Sequence, residues 1–288
     1  MSTQFPAGRS AQKIALGPAQ SLALDSFPIS SARPAPRTWL NDITIEHGPV
    51  DLLGRLFLKA DTAARARDIS LSFAPMQTLV DANRYNRETW RPLLPLFDPA
   101  SGGITDENSF CVVGRNPQGD IVATQAARLY VWEDTSFLEE AQELRLFYAD
   151  PQRLRKPDEQ VEVTAPAAKH ISGRVVFAGG AWYRPDYRGR QLAQIMTRIS
   201  RAYAYTRWSH DYHVSIMAEE VCKGGMPQRS GYTTVDWEVM LKRTVVHPHG
   251  NVRCGLTWMD SRAFFDGIED FITRFDAQVD IGVNKRRA

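Results

Sequence analysis

The sequence is poor in cysteine, in long apolar runs and in charge of a single sign. Only Cys111, Cys222 and Cys254 occur in 288 residues. An odd number at wide spacing argues against a disulfide framework and against a zinc site with paired ligands, and fits a reducing cytoplasm. No stretch approaches the roughly 18 consecutive apolar residues of a membrane span, and the N-terminus has no hydrophobic signal core. The 35 basic and 33 acidic residues nearly cancel to +2, which leaves no global field to gather nucleic acid or an anionic membrane. Neither a Walker Gly-Lys-Ser/Thr ending nor three spaced glycines is present at the candidate phosphate turn, which disfavours an ordinary nucleotide-binding α/β protein. What is there is a globular composition, 43% hydrophobic and 24% charged, enough for one elaborated domain or two ordinary ones.

Residues 1–38, rich in Pro, Ala and Ser, read as an arm. A helix is expected from Val50 to Ala64 on the spacing of Leu52, Leu53, Leu56 and Ala60, then a strand from Asp68 to Phe73. A second helix after Pro75 should bury Met76, Leu79, Val80 and Tyr85, and another short apolar helix, broken by Pro92 and Pro95, is expected over Trp90 to Phe97. Ser109 to Gly114 and Ile121 to Trp132 flank Asn116-Pro117-Gln118-Gly119 and predict an antiparallel hairpin. Residues 133–162 carry nine acids and read as a solvated helical excursion or as an acidic wall that attracts a cationic substrate. Arg174 to Tyr183 reads as a strand, Gln191 to Trp208 as an amphipathic helix, His213 to Met217 as a strand and Tyr232 to Leu241 as the final strand of the series. Residues 244–288 are expected to be an extension with one helix, its stripe formed by Phe264, Ile268, Phe271, Ile272 and Phe275. That helix could pack on its own core or on a second copy in a homodimer.

The chemistry concentrates at Gly180-Ala181-Trp182-Tyr183-Arg184-Pro185-Asp186-Tyr187-Arg188-Gly189-Arg190-Gln191-Leu192-Ala193. A strand ends, a tight basic turn follows, and a helix begins with unpaired N–H groups and the positive end of its dipole facing the turn. Small residues at Gly189 and Ala193 let an anion approach, and Arg188 and Arg190 add charge. Gly179 and Gly180 suit a bulge or a close approach by another extended chain.

These residues resemble the acyl-coenzyme A motif of the GNAT superfamily of N-acyltransferases. Arg188 opens the pattern, Gln191 stands where the family prefers Gly, and Ala193 closes it; Tyr183-Arg184-Pro185 is similar to the Val-x-Pro entry, and Gly231-Tyr232 to the Gly-Phe that often precedes the final strand. The resemblance covers residues 68–241. It implies an α/β (α+β) fold with a mixed, mostly antiparallel sheet splayed between its central strands, flanked by helices and carrying N- and C-terminal extensions, the domain spanning 39–243. It further implies transfer of an acetyl or other acyl group from acetyl-CoA, or another acyl-CoA, to a primary amine. The implied cofactor contacts are Trp182, Tyr183, Arg188, Gly189, Arg190, Gln191, Leu192 and Ala193, and the implied acceptor chemistry falls to Glu219, Glu220 and Tyr183. Pro227 occupies the place of the family's frequent thiolate-protonating Tyr. A catalytically silent acyl-CoA-binding or protein-interaction module is the second reading.

Other signals are weaker. His247-Pro248-His249 lacks a third ligand, and no metal is expected. His213, on a strand, reads as a satisfied core or edge residue, and Cys222 has no paired His that would make it a nucleophile. The acidic insertion favours a small cationic acceptor; neither nucleic acid nor membrane is an expected partner.

Overall fold

The computed structural model describes residues 38–244 and 250–285, with residues 275–285 described by backbone alone. The expected arm lies almost wholly outside them, as do His247-Pro248-His249 and the side chain of Phe275.

The first helix, α1 (Val50–Arg65), buries Leu52, Leu53, Leu56 and Ala60 as their spacing requires. It leads into β1 (Ser70–Ala74) and α2 (Met76–Tyr85), whose N-cap is Pro75. Met76, Leu79 and Val80 are buried, but Tyr85, at the helix's last residue, is 90% exposed and does not join the stripe. The helix expected over Trp90 to Phe97 is absent. Pro92 and Pro95 lack the N–H donors a helix needs, and a single 3₁₀ turn forms at Pro95–Phe97. The hairpin is as expected: β2 (Ser109–Arg115) pairs antiparallel with β3 (Ile121–Trp132), and the turn is closed by Gly119 N–H donating to Asn116 O at 2.9 Å.

The acidic segment is not a solvated excursion. It contains α3 (Phe137–Gln142), opened by a capping box between Ser136 and Glu139, α4 (Pro151–Leu154) and β4 (Gln160–Val163). Phe137, Ala141, Leu144, Leu146, Phe147 and Tyr148 are buried in one of the two cores. The acids stay at the surface or find partners while these apolar residues drive the segment onto the sheet, so the charge count concealed a packing segment.

The chain then forms β5 (Gly173–Tyr183), α5 (Leu192–Trp208), β6 (Tyr212–Ala218), the short α6 (Glu219–Lys223) and α7 (Met226–Arg229), β7 (Thr234–Lys242), β8 (Asn251–Asp260) and α8 (Ser261–Lys285). The eight strands make one sheet in the order β1-β2-β3-β5-β6-β8-β7-β4. Every neighbouring pair is antiparallel except β5 and β6. Two expectations are corrected here. Tyr232 to Leu241 is not the final strand, and residues 244–288 are not a separate extension, because β8 enters between β6 and β7 and completes the sheet. The apolar stripe of α8 packs on the chain's own core: Phe264, Ile268, Phe271 and Ile272 join residues of α1 and α5 on one face of the sheet. The opposite face is covered by α2, Leu96, Phe97 and the segment after β3. No helix among the described residues is long and apolar enough to cross a membrane.

Candidate functional site

The parallel pair opens the site. β5 and β6 are in register only over Val175–Tyr212, Val176–His213 and Phe177–Val214. Beyond Phe177 the two strands part. The cause is local: pairing of β5 with β3 jumps from Ala126–Gly179 to Thr124–Trp182, a bulge that takes up Gly180 and Ala181. Gly180 has φ +58°, and a Cβ on Gly179 would sit 2.5 Å from Phe97 Cε2, so both positions require the missing side chain. Thr124 Oγ1 donates to Gly180 O at 2.7 Å and Gln125 Nε2 to Gly179 O at 3.3 Å, which pins the bulge.

Two cavities share this gap. The inner one, about 310 Å³, lies between the parted strands and is bounded by the bulge, by Trp90 to Leu94, and by His213, Ser215 and Arg201. The outer one, about 390 Å³, lies at the N-terminus of α5 and is lined by Arg188, Gly189, Gln191, Leu192, Ala193 and Arg229 among others. Tyr183 and Met226 line both. No Asp or Glu among the described residues lines either cavity.

At the outer corner the turn supplies main-chain donors. Gly189 has φ +79°, and a Cβ there would meet nothing within 4 Å, so the corner is open. The first bonded N–H of α5 is that of Gln194, to Gln191 O at 3.0 Å, and the earlier ones have no intrahelical acceptor. Gln191 is the N-cap with φ 60° and ψ 18°, a left-handed conformation that favours Gly. Its Oε1 accepts from Arg67 Nη2, and Arg67 Nε also donates to Arg190 O at 2.6 Å. The extra side chain is therefore anchored to the segment between α1 and β1.

The arginines divide their labour. Arg188 donates from Nε to Tyr183 O at 3.1 Å and from Nη2 to Thr89 O at 3.4 Å, fixing the turn while lining the corner. Arg190 stacks over the Tyr187 ring at 4.2 Å and does not line the cavity; Arg229, which no sequence motif singles out, does. Trp182, expected as a cofactor contact, packs away from both cavities. It is 3% exposed, stacks on Trp90 at 5.3 Å and lies outside both cavities.

Glu219 and Glu220 line neither cavity. Glu219 accepts from Lys223 at 3.1 Å and from Arg253 at 3.0 Å, and these partners hold its carboxyl below the usual range, which suits an ion-pair member better than a base. Glu220 pairs with Arg91 at 2.6 Å, placing that guanidinium at the cavity wall. The nine acids of the insertion are likewise absent from the linings, so no acidic wall faces the inner cavity. Cys222 donates to Met217 O at 3.4 Å, and burial raises its thiol.

The sequence missed the polar lining of the inner cavity. His213 is 1% exposed with Nδ1 lacking a partner, and it stacks on Tyr232. It is neither a satisfied core residue nor an edge residue. Burial, and then the charge of Arg201, push its pKa well below the usual imidazole value, so the ring is neutral. Gln125 Oε1, Arg201 Nε and Tyr183 Oη also lack hydrogen-bond partners although buried. Burial pushes the Tyr183 phenol above its usual pKa. Four unsatisfied polar groups around one cavity, each costing about 1–3 kcal/mol if left so, mark a place for a ligand.

No family model matches the chain, and no curated protein is similar to it in sequence. Among solved structures it is similar to the spermidine/spermine N-acetyltransferase of Vibrio cholerae, at 9% identity and TM-score 0.42 over 69% of this chain and 97% of that one. A complex of the Vibrio cholerae spermidine N-acetyltransferase with CoA and spermine is similar at 9% identity and TM-score 0.40, over 68% and 98% of the two chains. A Klebsiella pneumoniae protein described as an acyl-CoA N-acyltransferase is similar at 13% identity and TM-score 0.37, over 67% and 98%.

Proposed function

We propose that this protein transfers an acyl group from a coenzyme A thioester to an amine by direct attack. The observation that carries the reading is that two cavities, both lined by Tyr183 and Met226, lie at the anion-ready start of α5 and in the gap where β5 and β6 part. The thioester supplies an activated carbonyl and a leaving thiolate. First-turn N–H groups of α5, with Arg188 and Arg229 beside them, receive the diphosphate. The edge of β5 from Ala178 to Tyr183, unpaired on its β6 side, offers main-chain partners to the extended pantetheine arm as an added strand would.

Tyr183 takes the role for which Pro227 is unsuited. Because burial keeps its phenol protonated, it can donate to the departing sulfur; a thiol pKa near ~8.5 asks for modest help only. Glu219 and Glu220 are set aside as bases. Neutral His213, on the far side of the gap, is the group best placed to accept the amine's proton, and its depressed basicity makes a reaction whose rate rises with the fraction of free amine. Ordering both reactants in one gap supplies most of the acceleration in such a design.

The test is calorimetry with CoA and acetyl-CoA together with thiol release against a panel of amines. Micromolar cofactor binding with amine-dependent thiol release supports the reading. Binding without release favours the silent module, and no binding at millimolar cofactor removes both.

A further inference from the structure

We propose that the acceptor amine also carries a carboxylate, and that Arg201 binds it in the inner cavity. This deepens the acyl-transfer reading and rests on it for the word acceptor, but not for the carboxylate site itself.

Arg201 lies on α5 and is 4% exposed. Its Nη2 donates to Ser230 O at 3.0 Å and its guanidinium lies 4.7 Å over the Tyr232 ring, while Nε has no acceptor. A carbonyl and a ring face satisfy part of a guanidinium; neither neutralises it. The charged or titratable neighbours that face it are Arg198 on the same helix, His210 and His213 beside and on β6, and Tyr232 before β7; none is an acid. Arg91, the other cation of the lining, is already paired with Glu220. Arg201 is thus the uncompensated charge of the cavity, and a buried cation without a counter-ion is retained where a ligand provides one. The guanidinium fork suits a carboxylate in particular. A polyamine would meet no Asp or Glu here.

The side of the gap argues for the acceptor over the acyl donor. The donor's arm enters at the α5 corner and follows β5, whereas Arg201 shares its part of the lining with His213 and Ser215 of the strand opposite. Gln125 Oε1, opposite the bulge, remains for the amine end.

The experiment compares α- and ω-amino acids with their carboxamides as acceptors for acetyl-CoA, with spermidine included. The expected result is a kcat/KM at least 100-fold higher for the best amino acid than for its amide. Arg201→Gln should erase that ratio through KM while the acetyl-CoA Kd stays within twofold, and Arg201→Lys should restore part of it. A second readout needs no turnover: N-acetyl-amino acids should bind the wild-type protein calorimetrically, and their amides should not. Should Arg201→Gln fail to fold, the wild-type ratio and the calorimetry decide. Equal use and equal binding of acids and amides, or a preference for spermidine, overturns the proposal. A tenfold preference for succinyl-CoA over acetyl-CoA with an uncharged amine also overturns it, because the carboxylate then belongs to the donor. Carboxylate binding that depends on Arg201 without any thiol release supports the site and removes the acyl-transfer reading alone.

Discussion

Placing a carboxylate at Gly189 tests the anion corner most directly. A Cβ there meets nothing within 4 Å, so Gly189→Glu introduces no clash at its Cβ, and its structural cost is the backbone strain of a non-glycine residue at φ +79°. That strain is about 1–2 kcal/mol, and Gly189→Ala carries it without the charge. A carboxylate about 6 Å from one phosphate charge is repelled by about 3 kcal/mol at an effective dielectric of ~20, and solvent at this open corner reduces that to about 1.5–3 kcal/mol. The Kd for CoA should therefore rise ~10- to 100-fold in Gly189→Glu. Gly189→Ala should bind CoA within a few-fold of wild type, and Gly189→Lys should bind at least as well as Gly189→Ala. Titration calorimetry at two salt concentrations reads all four proteins, and the Glu penalty should shrink as salt is raised. If Gly189→Glu and Gly189→Ala bind CoA equally, the diphosphate does not sit at the start of α5, whatever the turnover assay reports.

Three further outcomes follow from the same geometry. Tyr183→Phe should leave CoA binding within a few-fold while lowering kcat ~10- to 100-fold, read by thiol release; an unchanged kcat would assign the proton to water. Gly179→Ala should destabilise the protein by about 1–3 kcal/mol in urea melts because its Cβ meets Phe97, and a neutral effect would show that the bulge tolerates a side chain. Burial holds His210 at a pKa of about 3 and keeps His213 neutral, both below the ~6.5 of the unfolded chain. The unfolded state therefore binds more protons below pH ~6.5, so stability is full above that pH and falls on acidification. His210→Gln should flatten the loss between pH 6.5 and 4.5 by about 2 kcal/mol in thermal melts, and an unaltered pH profile would contradict the burial argument.

Much of the molecule was legible because local signals and tertiary demands agree. Leu52, Leu53, Leu56 and Ala60 lie on the buried face of α1, and Leu192, Ile195, Met196, Ile199 and Ala202 on that of α5. The bulge at Gly179 and Gly180 and the open turn at Gly189 could be anticipated since only glycine removes the Cβ that each place would have to hold. Gln191 was legible as an oddity but not as a solution, because its partner Arg67 lies far away in the chain.

Where local composition and long-range packing point different ways, the sequence misled. Nine acids in 133–162 suggested solvent, yet Phe137, Leu146 and Phe147 settle on the sheet and carry β4 to its far edge. Glu219 and Glu220 sit after a strand, as bases might, yet cations from elsewhere in the fold hold both outside the cavity. β8 has little alternation of its own, and its place between β6 and β7 is set by the two partners on either side.

Local pattern is enough for the elements whose periodicity repeats over several turns or residues, and for the strand–turn–helix that begins α5. Where the sheet opens, and which polar atoms meet there, depends on long-range packing. Arg201, His213 and Gln125 come from a helix and two different strands, and nothing in a one-dimensional pattern records that three buried groups line the same space, each with one polar atom left without a partner.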